Sequence, residues 1–239
     1  MSRSISRRTF VSATLGVASL GLSACGGGAK PATTYAATSG ASAAPAPTGE
    51  FASGKHAATI EVEGFGTITL ELDADSAPIT VSNFAKLANE GFYDGLTFHR
   101  IIQGFMMQGG DPKGNGTGGS GETIVGEFSD NGIDNPIKHV RGTISMARSS
   151  AMDSASSQFF IMQEDAEYLD GQYAAFGHVT DGLDVVDAIC DSAKPSDNNG
   201  TIAPADQPKI SSIRVEAWRP CGRPLRRAQA NLASVFKPR

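Results

Sequence analysis

The stretch FHRIIQGFMMQGGD, Phe98 to Asp111, sets one guanidinium among aromatic, β-branched and methionine side chains. A charge in apolar company costs free energy unless it has a partner or a task. Arg100 is therefore the first candidate for chemistry, and an arginine offers a restricted kind. It stays protonated, so it is neither a base nor a nucleophile, and it presents several N–H donors in a rigid fork. It can stabilise a lone pair or a negative charge that develops beside it. Phe105, Met106 and Gln108 follow it closely, and Gln158, Phe160 and Leu169 lie further along. Each of these has an ordinary reading when taken alone. Arg100 could sit on an edge strand with its head in water, the aromatic and methionine residues could be core, and Gln158 could be surface.

Other chemistries find little support. The histidines His56, His99, His139 and His178 show neither a His-x₃-His spacing nor cysteine pairing, so no metal site is expected. Spacing alone makes no Ser-His-Asp case. The loop GNGTGGSG, Gly114 to Gly121, lacks the lysine and following helix of a phosphate loop, and it is not a nucleophile elbow. No cofactor is expected. Residues 51 to 218 carry 10 basic and 24 acidic side chains, and such an acidic body argues against nucleic acid as a partner.

The elements that must position Arg100 read mostly as strands. ATIEVEGFGTITLEL alternates apolar and polar residues around a GFG turn, which predicts a hairpin. Val81, Phe84, Ala85 and Ala88 share one helical face between Pro78 and Gly91, a helix start and stop. Arg100 falls on the first of two short strands joined at Gln103 and Gly104. GTISMA, SQFFIM, YAAFGHV and ISSIRVEAW predict further strands, and GLDVVDAIC a second helix with Leu183, Val186 and Cys190 on one face. Many strands with two well-separated helices favour an antiparallel sheet or barrel capped by helices.

FHRIIQGFMMQGGD, GTGG, GTISMA, SSQFFI, YLDGQYAAFG and GLDVVDAI, in this order and spacing from about residue 57 to 217, resemble the cyclophilins. The resemblance implies a mainly β fold, an eight-stranded antiparallel β-barrel capped by two α-helices, over residues 55–218. It implies peptidyl-prolyl cis–trans isomerase activity on proline-containing polypeptides, without metal or cofactor, in a monomer. It makes Arg100 the catalytic arginine and Gln108 the residue that holds it and the substrate backbone. Phe105, Met106, Phe160 and Leu169 become the wall of a proline pocket. Ala147, Gln158 and Tyr173 become groove residues. The chain departs from the family at several positions. Tyr168 stands where tryptophan is common, which weakens any expectation of tight cyclosporin binding. Tyr173 replaces a frequent histidine, Gln103 a frequent proline, and Arg148 and Ser149 the usual small or amide residues. The alternative is a module that binds proline-containing peptides and turns them over only incidentally.

The amino terminus reads as an address. Arg3, Arg7 and Arg8 precede a short apolar run, Val11 to Leu22, too short for a comfortable membrane span. SRRTFV resembles a twin-arginine export signal, and LSAC, Leu22 to Cys25, resembles a bacterial lipobox. The expectation is a signal peptide over residues 1–24 and an acylated Cys25. Residues 25–54 form a Gly/Ala/Ser/Thr/Pro linker spanning about 30 Å. The domain would then hang from the extracytoplasmic face of a bacterial membrane. Residues 219–239 carry six basic and no acidic side chains and are expected to be disordered, with anionic lipid contact as the sharper alternative. Cys190 and Cys221 are expected as free thiols rather than a disulfide.

Overall fold

The computed structural model describes residues 47–217. The signal peptide, Cys25, residues 25–46 of the linker, Cys221 and the basic tail lie outside the described residues. The predicted hairpin is β1 (Lys55–Val62) and β2 (Gly66–Asp73), paired so that Ile60 faces Ile68 and Ala58 faces Leu70. The next hairpin is β3 (Phe98–Ile102) and β4 (Met106–Gly109), followed by β5 (Thr143–Met146), β6 (Phe159–Met162), β7 (Ala175–Asp181) and β8 (Ile210–Glu216). These form one antiparallel sheet in the order β3-β4-β6-β5-β7-β2-β1-β8. The eight expected strands are present, and the sheet curls until its ends meet. The last seam is not a full strand pair. It is a bridge between Thr97 and Lys209, supported by Gly95 N–H to Ile210 O and Ile210 N–H to Leu96 O, both 2.8 Å.

Two helices cover the sheet. In α1 (Pro78–Asn89) the predicted face Val81, Phe84, Ala85 and Ala88 is buried, and Phe84 packs its ring against Tyr93, Phe159 and Phe176 at 5.1–5.5 Å. The residue before the helix, Ala77, has no side chain with which to cap it. The buried Glu127 supplies the cap from another loop, accepting from Ile79 N–H at 2.9 Å and Thr80 N–H at 2.7 Å. Those are two of the N–H groups a helix start leaves without internal partners. In α2 (Leu183–Ser192) Val186, Ile189 and Cys190 are buried, and Leu183 packs at the margin. Cys190 is a free thiol whose pKa burial pushes up to about 12, so it packs as a small hydrophobe.

The end of the expected linker is tied to the domain. Phe51 packs on the core and stacks edge-on against His56 at 5.1 Å. Its carbonyl accepts from the Ser82 hydroxyl at 3.1 Å, and Gly54 N–H donates to Asp75 at 2.7 Å. Residues 51–54 of the expected linker are therefore packed on and hydrogen-bonded to the domain.

Candidate active site

Strand alternation divides β3, β4 and β6 between two surroundings. Phe98, Ile101, Met107, Phe159 and Ile161 point into the main core. Their neighbours point out of the barrel. Arg100 pairs directly with Gln108, Gln108 with Phe160, and Phe160 with Ser145, which gives one row of side chains across four strands. Beside that row a second, separate cluster is built from Met106, Phe160, Met162 and Ala166, with Phe105, Ala147, Leu169 and Tyr173 packed around it.

Arg100 is held from several sides. Its Nε donates to the Asn199 carbonyl at 2.8 Å, and its Nη1 donates to Gln108 Oε1 at 3.2 Å while lying 3.9 Å from Met106 Sδ. Its Nη2 has no hydrogen-bond partner among the described residues. Burial lowers the pKa of Arg100, with Tyr173, Asp197 and Tyr168 acting in the opposite sense. A guanidinium starts so high that it remains charged at neutral pH. The support continues outward. Gln108 Nε2 donates to Gln158 Oε1 at 2.9 Å, and Gln158 Nε2 donates to the carbonyls of Gly116 and Gly118 at 3.1 and 2.8 Å. Those carbonyls belong to the glycine-rich loop, which is a buttress rather than a phosphate site. The loop is wound around buried Asp111, whose carboxylate accepts from the N–H groups of Lys113, Asn115 and Gly116. A Cβ on Gly118 would collide with that carboxylate.

A cavity of about 220 Å³ opens beside Arg100, walled by Phe105, Met106, Phe160, Leu169 and Tyr173. Gln108, Ala147 and Arg148 line it and also line a second cavity of about 260 Å³, which reaches Gln158 and the loop. All nine barrel residues expected at the site are therefore brought together. The wall is rigid. Phe160 meets Tyr173 edge-on at 5.8 Å, and Phe105 stacks with exposed Tyr168 at 6.1 Å. The turn carrying Phe105 is tied to the end of β6 and to α2. Gly104, at φ +75°, donates its N–H to Gln163 Oε1 at 2.7 Å, and Gln163 N–H donates to the Phe105 carbonyl at 2.8 Å. Gln103 Nε2 donates to Asp191 Oδ1 of α2 at 2.8 Å, which gives this unusual glutamine a task that proline could not perform.

Sequence reading missed a buried chain beneath Phe160. Asp170 lies 3.0 Å from His139 Nδ1, and His139 Nε2 lies 3.0 Å from Ser145 Oγ. Burial pushes the imidazole below its ordinary pKa despite the pull of Asp170, so it is neutral at pH 7. A carboxylate only accepts, so Nδ1 donates to Asp170 and Nε2 accepts from the Ser145 hydroxyl. Ser145 is fully buried, which rules out a role as an attacking hydroxyl on a peptide in the groove. The His139 ring instead lies parallel to Phe160 at 6.0 Å and supports it from behind.

The curled eight-stranded sheet that carries this cavity is shared with known proteins. The family model described as "Cyclophilin type peptidyl-prolyl cis-trans isomerase/CLD" matches residues 57–215. The chain belongs to the cyclophilin family. It is a peptidyl-prolyl cis–trans isomerase by that membership and by its relatives. This cyclophilin is 51% identical over 123 residues to peptidyl-prolyl cis-trans isomerase B of Bacillus subtilis, which covers 52% of the chain and 82% of the relative. It is 43% identical over 158 residues to a probable peptidyl-prolyl cis-trans isomerase of Brucella suis, covering 64% and 79%. A Cryptosporidium parvum cyclophilin crystallised in the presence of the dipeptide Ala-Pro aligns with a TM-score of 0.59 and 30% identity, over 67% of this chain and 98% of that one.

Proposed function

We propose that this cyclophilin rotates X–Pro peptide bonds by seating the proline ring in the cavity of Phe105, Met106, Phe160 and Leu169 and setting its amide beside Arg100. An X–Pro amide resists rotation because the nitrogen lone pair is delocalised into the carbonyl, with a barrier of about 18–20 kcal/mol. Uncatalysed exchange takes tens to hundreds of seconds. Midway through rotation the conjugation is lost and the lone pair is localised on nitrogen. It then accepts a hydrogen bond that the planar amide does not. The unpartnered Nη2 of Arg100 is the donor available for it, and this observation carries the reading. Such a bond exists mainly in the transition state, so it lowers the barrier instead of only tightening binding.

Magnitudes say what else is needed. A charge-assisted hydrogen bond contributes about 1.5–3 kcal/mol, which is about one to two decades of rate at 1.36 kcal/mol per decade. Further acceleration comes from preorganisation, here the bonds from Arg100 to Asn199 and Gln108, which fix the fork before substrate arrives. The apolar wall adds to it by disfavouring the charge-separated form of the planar amide. No proton moves and no covalent bond forms, so the residues used need only hold, orient and exclude water.

The clients we propose are flexible proline-containing segments of exported proteins, met by a monomer at the extracytoplasmic face of a bacterial membrane. Support for that placement is the twin-arginine-like leader and the LSAC sequence ending at Cys25. Among the described residues no helix is long and apolar enough to cross a membrane. Lipid chains on Cys25 would provide attachment at about 0.8 kcal/mol per buried CH₂. Two-dimensional exchange NMR on a blocked Ala-Pro peptide tests the activity. Wild-type protein is expected to raise the exchange rate well above that seen with Arg100→Ala, and equal rates would end this reading. Mass spectrometry of the mature amino terminus tests the anchor: an acylated Cys25 is expected, and an unmodified start elsewhere would refute it.

A further inference from the structure

Arg148 stands on the boundary between the two cavities of the groove and lines both. It is fixed by neutral partners. Its Nε donates to the Gln172 carbonyl at 2.8 Å and its Nη1 to the Ser149 carbonyl at 2.9 Å. Its guanidinium carbon lies 5.0 Å from the centre of the Phe128 ring and 4.9 Å from that of Tyr173. Ring faces attract a cation without neutralising it. Arg148 forms no ion pair among the described residues, although Lys55, Lys138, Arg141 and Arg214 all do. Its Nη2 is likewise without a hydrogen-bond partner among them.

Resting on the isomerase reading above, we propose that Arg148 makes the groove selective for segments with a carboxylate side chain one or two residues before the proline. None of the residues lining either cavity is acidic, and the charged ones are Arg100 and Arg148 alone. The Asp197 carboxylate acts on Arg100, so its charge is partly answered. Arg148 has no such answer. A segment leaving the proline cavity across Ala147 enters the second cavity beside it, and successive Cα atoms are about 3.8 Å apart. The side chain of a near neighbour of the proline therefore falls within reach of the guanidinium. The acidic body opposes an anionic segment at long range, but salt at physiological strength screens charges beyond about 8 Å. Contact with Arg148 decides the preference.

The test uses blocked peptides Xaa-Ala-Pro-Ala and Ala-Xaa-Pro-Ala, with Xaa as Glu, Gln or Lys. Exchange NMR gives catalytic efficiency, and titration calorimetry gives affinity for the same peptides. In about 0.15 M salt the wild type is expected to favour Glu over Gln by about fivefold at one of the two positions, the scale of a solvated ion pair. Lys should rank below Gln. The preference should collapse in 0.5 M sodium chloride, a test that needs no variant. Arg148→Gln should bring the Glu/Gln ratio to one, and Arg148→Lys should keep part of it. Equal handling of Glu and Gln by wild type at both positions overturns the proposal, as does a ratio that survives Arg148→Gln. A ratio seen in affinity without any exchange above background supports charge selection while refuting the isomerase reading, so the two failures are distinguishable.

Discussion

Phe159 and Phe160 are chain neighbours of the same type, and both are buried, yet they belong to different structures. Phe159 points inward and packs edge-on against Phe84, Tyr93 and Phe98 at 5.5–6.1 Å. Phe160 points outward over the His139 ring and meets Tyr173 across the cavity. The inner cluster joins both helices and most of the sheet into one apolar mass. The outer cluster has only Met106, Phe160, Met162 and Ala166 fully inside it, and polar chains run along its edges. Apolar surface inside a barrel is explained by folding alone. Apolar surface outside it, stiffened by hydrogen bonds and left open on one side, is explained by a ligand.

Substitution should separate the two faces. Phe159→Ala is expected to cost about 3–5 kcal/mol of stability, the range for deleting a core aromatic. Phe160→Ala should cost clearly less, because its site already opens on a cavity, while isomerase efficiency falls at least about tenfold by the loss of about 1.4 kcal/mol of transition-state stabilisation. Urea unfolding and exchange NMR on the two variants check this, and equal stability losses would erase the distinction. Gln108→Ala comes next. It removes the bond that orients Arg100, so efficiency should fall about tenfold or more, with stability changed by less than about 1 kcal/mol. A large stability loss without a rate effect would make Gln108 structural.

A pH series sharpens the same contrast. Burial lowers the pKa of His139, and burial also lowers that of His99, which has neither ring nitrogen hydrogen-bonded among the described residues. Their unfolded values are about 6.5. Below that pH the unfolded chain takes up protons that the folded chain refuses. Stability is therefore full above about pH 6.5 and falls as the pH drops toward the lower folded values. Unfolding free energy should decline from pH 7.5 to 5.5 with a slope of at most about 1.4 kcal/mol per pH unit for each histidine, and His139→Gln should flatten that slope. A slope that His139→Gln leaves unchanged would contradict the burial described here. The smallest effect is expected of Gln103→Ala. It releases the Phe105 turn from Asp191, which should lower efficiency about twofold and stability by no more than about 1 kcal/mol.

Strand alternation and helix periodicity made most of the fold legible. Ile60, Ile68 and Leu70 on the first hairpin and Val81, Phe84 and Ala88 on α1 are buried where their spacing requires. The site was legible because it is written on those same strands: once β3, β4 and β6 are placed, Arg100, Gln108 and Phe160 must share a face. Resemblance supplied their roles, which periodicity does not contain. Contacts made by loops were not legible. Asn199 offers only a backbone carbonyl to Arg100, and Asp170 reaches His139 across 31 residues, so neither leaves a spacing signal. The Glu127 cap on α1 was hidden for the same reason. Arg148 stood out as a departure from the family, but its charge gains meaning only beside Phe128 and Tyr173 and without an acidic partner.

The central claim is that Arg100 acts on the rotating amide and not on the resting one. Exchange of a saturating Ala-Pro peptide on the protein and its dissociation constant by calorimetry should be measured for wild type, Arg100→Ala and Arg100→Lys. Removing a charge-assisted bond made only in the transition state should slow exchange about ten- to a hundredfold, while affinity changes by less than about threefold. Lysine should rescue little, because a point charge does not reproduce the fork. Affinity lost in proportion, with exchange on the bound peptide unchanged, would contradict the account.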